Sequence, residues 1–313
     1  MLVLAAEALS GSPWRFQAHP EVWALVLGLA VMYWYALTRI GPRATRPDEP
    51  VATRSNVAWF AAGLTVLWLA SDWPVHDLGE EYLYSVHMSQ HLIYIFVLAP
   101  MVLLGTPTWL ARMVVGNGRP YRVLRKMTRP VPATLIFNGI TVLTHWPAVV
   151  NASASNGPLH YVVHVLVVSS ALLMWLPICG PLPELRFPLG VQMVYLFLQS
   201  IIPTVPAGWL TFAEGVVYEH YDVLPRVFGL SVAYDQQIAG LLMKLGGGLF
   251  LWSVICVTFI RFATKSLEDD RATGVALDRR APVGTTADGD VLTWEDVQRQ
   301  LAEAPPAPVE RTR

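Results

Sequence analysis

The chain alternates long apolar runs with short polar ones. Seven apolar stretches, at about 21–38, 57–71, 82–104, 132–147, 159–178, 190–212 and 236–262, approach the length that an α-helix needs to cross a bilayer, roughly 20 residues. The pattern predicts an all-α, polytopic membrane protein with seven transmembrane helices. The fourth stretch is the shortest: it begins after Pro130 and Pro132 and ends before His145. Pro100 is expected to kink or close the far end of the third. After Lys265 the composition turns to Asp, Arg, Pro, Gly and Thr. This divides the chain into a membrane domain over 1–265 and a largely disordered tail over 266–313. One short helix is expected in the tail at Thr293–Ala302, where Thr293 and Asp296 resemble a capping box.

Basic residues set the orientation, because Lys- and Arg-rich loops are retained in the cytoplasm. Arg39, Arg43, Arg46 and Arg54 lie in the first loop, and Arg112, Arg119, Arg122, Arg125, Lys126 and Arg129 in the third. Arg186 lies in the fifth, and Arg261 and Lys265 follow the last span. The second and fourth loops have no Lys or Arg, and the sixth has Arg226 alone. The N-terminus is therefore expected outside and the C-terminus in the cytoplasm, in a multi-pass protein of the cell membrane. The opening MLVLAAEALSGSP lacks a basic n-region and reads as a short outside segment. The third loop also suits anionic lipid headgroups. With 54% hydrophobic and 14% charged residues the chain is no soluble globular domain, and no nucleotide-binding motif points to a nucleic-acid partner. Cys179 and Cys256 both map to the cytoplasmic half, where a disulfide is not expected.

Polar titratable groups inside membrane helices cost free energy and point to function. The third span opens with His87 and His91 and the fifth with His160 and His164, each pair at i and i+4 on one helix face. All eight histidines, including His19, His76, His145 and His220, fall on the outer side. The second and sixth loops add eight acids against one base, a field that concentrates cations. Imidazole suits copper, zinc, iron and nickel, and Met88 or Met243 would add a soft thioether favouring copper(I). Three classes of function fit these residues: metal delivery from an outer-facing site; haem ligation, for which His91 and His164 could face each other; and a retinal-type receptor built on Lys244. The last lacks a carboxylate counter-ion in the third span and leaves the histidine pairs unexplained.

HMSQHLIYIFVLAPMVLLGTP in the third span, THWP followed by LHYVVHVLVVSSALLMWLPICGP, and DQQIAGLLMKLGGG in the seventh resemble the CtaG-type membrane cytochrome c oxidase assembly factors. The likeness runs from about Trp59 to Arg261. It implies a non-enzymatic role in building a haem–copper oxidase, with copper supply to its catalytic subunit, and functional positions at His87, His91, His145, His160, His164 and Asp235. Lys244 departs from the apolar or aromatic residue expected there. The combined reading places copper on His87, His91, His160 and His164. His145, His76 and His220 are expected in an outer shell or access path, and Asp235 is expected to orient an imidazole or offset Lys244. A haem-binding protein and a copper transporter across the membrane are the alternatives.

Overall fold

The computed structural model describes residues 13–280 and 293–303. The opening segment at 1–12 and the tail at 281–292 and 304–313 lie outside the described residues. Twelve helices follow in order: α1 (Pro20–Ala44), α2 (Arg54–Ser71), α3 (Val75–Glu81), α4 (Tyr84–Gly105), α5 (Thr108–Val115), α6 (Arg119–Met127), α7 (Pro130–Thr144), α8 (Pro147–Ala154), α9 (Gly157–Cys179), α10 (Leu189–Thr211), α11 (Val232–Arg280) and α12 (Trp294–Glu303). No strand occurs among the described residues. The chain divides into two compact units, Met1–Phe259 and Ile260–Arg313.

Five helices are long and apolar enough to span a membrane: α1, α4, α9, α10 and the Val232–Ala272 part of α11. The bent pair α7 and α8 makes six if it counts as one span. The sequence reading expects seven, and the two shortfalls have local causes. Helix α2 forms as expected over 18 residues, but its first turn is Arg54, Ser55 and Asn56, closed by a reciprocal Thr53–Asn56 cap. Helix α7 stops after 15 residues because Pro147 forces Trp146 into an extended conformation, and α8 leaves at 66°.

Helix α4 is the centre of the first unit. Its Ile95, Phe96, Ala99 and Leu103 join Ala133 and Phe137 of α7, Val167, Ala171, Met174 and Trp175 of α9, Tyr195 and Leu196 of α10, and Leu251 of α11 in one buried cluster. Ala99, Ala133 and Ala171 are fully buried, small residues that let helices approach where no water drives them together. Pro100 does not end the helix: a π-helical turn at Ile93–Leu98 precedes it, and the Ile95 carbonyl accepts the Trp175 indole N–H at 2.8 Å. Helix α2 is tied to α4 at both ends, by Asn56 Nδ2 to the Leu104 carbonyl (2.8 Å) and by Gln90 Nε2 to the Ala70 carbonyl (2.6 Å). Helix α11 meets α10 at Gly240, where any Cβ would fall 2.7 Å from the Ala207 carbonyl oxygen.

In the second unit, α11 continues past the expected boundary at 265 to Arg280. Helix α12 starts where its cap predicts: the Thr293 hydroxyl and backbone N–H bond to Asp296 Oδ2, and the Asp296 N–H returns to Thr293 Oγ1.

Candidate metal centre

The first turns of α4 and α9 lie side by side, so the two i,i+4 pairs face each other. Ring centroids are 4.5 Å apart for His87–His91, 4.7 Å for His91–His164, 4.3 Å for His160–His164 and 5.4 Å for His87–His160. One nitrogen from each of His87, His91 and His164 falls within 4.8 Å of the others. His91 Nε2 and His164 Nε2 are 3.3 Å apart. Nδ1 of His87 and Nδ1 of His91 are buried with no hydrogen-bond partner. Buried imidazole nitrogens are ordinarily satisfied, so the donor set fits a metal that prefers nitrogen.

His160 stands at the rim with its Nε2 turned to Glu80, 2.8 Å from Oε1. The same oxygen lies 3.3 Å from His76 Nε2. Burial alone would raise the Glu80 pKa, but the His160 and His76 imidazoles beside it outweigh burial and hold the carboxyl below its ordinary range. Behind Glu80, His19 Nε2 contacts Asp77 Oδ1 at 2.8 Å, and the His19 and His76 rings meet edge to face at 5.0 Å. A row of acids and imidazoles thus leads from α3 to the cluster. Gly79 makes the approach possible, since a Cβ there would come within 3.1 Å of the His87 backbone.

Among the described residues Asp235 is hydrogen-bonded to neither an imidazole nor Lys244. From α11 it accepts the Tyr84 N–H at 2.6 Å, the Ser85 N–H at 3.1 Å and the Ser85 hydroxyl. It is a remote cap on the N-terminus of α4, satisfying donors that a helix leaves open and setting a carboxylate at the positive end of the dipole. Lys244 donates instead to Thr204 Oγ1. His145 is buried at the end of α7, with Nδ1 2.6 Å from the Thr141 carbonyl and Nε2 3.4 Å from Met88 Sδ. Met243 packs in the same buried cluster as Met88. His220 stays on the connecting segment, its N–H on Asn151 Oδ1 and its ring edge-on to Tyr221. Tyr218 and Tyr221 of that segment pack on Tyr84 and reach back to the His145 and Gly79 carbonyls.

Sequence reasoning places Glu80 only among the outer acids, although its i,i+4 spacing from His76 on α3 was a usable signal. No local signal marks Ser85, whose partner is 150 residues away.

The family described as cytochrome c oxidase caa3 assembly factor matches residues 31–265, three quarters of the chain. The chain belongs to that family. The matched segment contains His76, His87, Met88, His91, His145, His160, His164, His220, Asp235, Met243 and Lys244, while His19 lies ahead of it. The chain is also 21% identical to the uncharacterised protein ML1998 of Mycobacterium leprae (strain TN), over 92% of this chain and 44% of that protein. It therefore spans less than half the length of that relative. No solved structure matches.

Proposed function

We propose that this oxidase assembly factor holds copper on His87, His91, His160 and His164 and passes it to the catalytic subunit of a cytochrome c oxidase. The observation that carries the reading is the convergence of three imidazole nitrogens within 4.8 Å, with Nδ1 of His87 and Nδ1 of His91 buried and without a partner. His160 is the exchangeable ligand. Glu80 orients it, as carboxylates commonly orient metal-bound imidazoles, and the acidic row through His76 and Asp77 is the route by which the ion reaches the cluster. In this reading α2 and the α7–α8 pair also cross the cell membrane, giving seven spans. The cluster then faces outward, and the basic α5–α6 segment meets cytoplasmic lipid headgroups.

The geometry disfavours haem. Axial ligation of one iron needs two bonds of about 2 Å on opposite sides of a macrocycle, whereas the His91 and His164 nitrogens are 3.3 Å apart. A strain carrying His87→Ala plus His91→Ala tests the proposal. Oxidase activity is expected to be lost while the protein stays in the membrane. Normal oxidase in that strain sinks the ligand assignment.

A further inference from the structure

The contact between His145 and Met88 is chemically odd. His145 Nδ1 lies 2.6 Å from the Thr141 carbonyl, which can only accept, so Nδ1 carries the proton. Nε2 of a neutral His145 is then bare, and it points at Met88 Sδ from 3.4 Å. A thioether has no proton to give. Two lone-pair donors therefore face each other in a buried place, at 7% exposure for His145 and 3% for Met88, and the ring has no carboxylate in contact.

We propose that Met88 and His145 form a second metal site, for a soft monovalent cation of the copper(I) class. With metal–nitrogen and metal–sulfur bonds of about 2.0 and 2.3 Å, the 3.4 Å separation closes a triangle of roughly 105° at the metal. That angle suits a three- or four-coordinate ion. An imidazole paired with a thioether selects copper(I) over harder divalent ions. The site extends the proposed delivery function but rests on its own contact. Met88 follows His87 directly, and His91, Met88, His145 and Met243 line one cleft between α4, α7, α10 and α11. Lys244 lines the same cleft, its ammonium engaged with Thr204. An ion leaving the imidazole cluster thus finds its next ligands without returning to water. Every ligand in both sites is neutral, so the step exchanges donor bonds with no change in oxidation state and no proton released.

The test is copper K-edge X-ray absorption on the full-length protein in detergent, loaded anaerobically with excess copper(I) and desalted. A sulfur neighbour at about 2.3 Å is expected in the wild type. It is expected to vanish, with about one bound equivalent, in Met88→Leu, a volume-conserving change that the fold should tolerate. His145→Gln, the second variant, loses the same equivalent. His87→Ala plus His91→Ala keeps the sulfur neighbour, so failure of the four-histidine reading leaves this one standing. Copper(I) bound by nitrogen alone in the wild type, or an unchanged sulfur neighbour in Met88→Leu, overturns the proposal.

Discussion

Replacing Asp235 probes how a residue on the last span holds the metal helix in place. Its carboxylate accepts two backbone N–H groups and one hydroxyl from the first turn of α4, all buried. In Asp235→Ala the Tyr84 and Ser85 N–H groups lose their partner in a site that water does not reach. A hydrogen bond to a charged group is worth roughly 1.5–3 kcal/mol net, and the three share one acceptor, so they do not simply add. Leaving a buried N–H group unsatisfied costs roughly 1–3 kcal/mol, so the Tyr84 and Ser85 N–H groups together cost roughly 2–6 kcal/mol. At roughly 2–4 °C per kcal/mol for a large domain, the midpoint of thermal unfolding in detergent should fall by roughly 4–24 °C. Asp235→Asn keeps one acceptor oxygen and should lose less than half as much. Since His87 and His91 sit on the capped turns, copper affinity should fall with the midpoint. If Asp235 served instead to offset Lys244, Lys244→Met would rescue Asp235→Asn. The cap predicts no rescue, and an unchanged midpoint in Asp235→Ala refutes the reasoning outright.

Glu80→Gln removes the carboxylate that orients His160 while keeping its volume; copper affinity in chelator competition should fall roughly 10- to 100-fold, and an unchanged affinity would separate Glu80 from the site. Asp72 accepts the indoles of Trp23 and Trp68 at 2.7 Å each and the Trp73 N–H at 2.8 Å, joining α1 to α2. Burial pushes its pKa up, but these three bonds outweigh it and hold the pKa below the ordinary carboxylate value. Its stabilisation is therefore complete above the unfolded pKa of about 3.9 and lost as pH falls through the lower folded value. Asp72→Asn should lower the unfolding midpoint at pH 7 and flatten its decline in acid, whereas a parallel decline would show that Asp72 does not titrate as described.

How much of this was legible in the sequence depended on the range of the interactions. The i,i+4 spacing of His87 with His91 and of His160 with His164 fixes a shared face on each helix, and a helix keeps that spacing whatever surrounds it. The Thr293–Asp296 cap of α12 is local in the same way. That the two faces meet is a tertiary fact, set by Ala99, Ala133 and Ala171 bringing α4, α7 and α9 together. Asp235 was singled out from the family resemblance, but its bonds to the first turn of α4 were not legible, because its partners Tyr84 and Ser85 are about 150 positions away. Pro147 decides where α7 ends, and its effect on Trp146 could have been anticipated. The pairing of His145 with Met88 could not, since nothing local marks two residues 57 apart as neighbours.

Metal analysis with an absorption spectrum on protein purified from copper-replete cells decides whether copper is the cargo of the histidine cluster. Bound copper, no Soret band, and the loss of about one equivalent per chain in His87→Ala plus His91→Ala are expected. A Soret band, or the same copper content with both histidines gone, would contradict it.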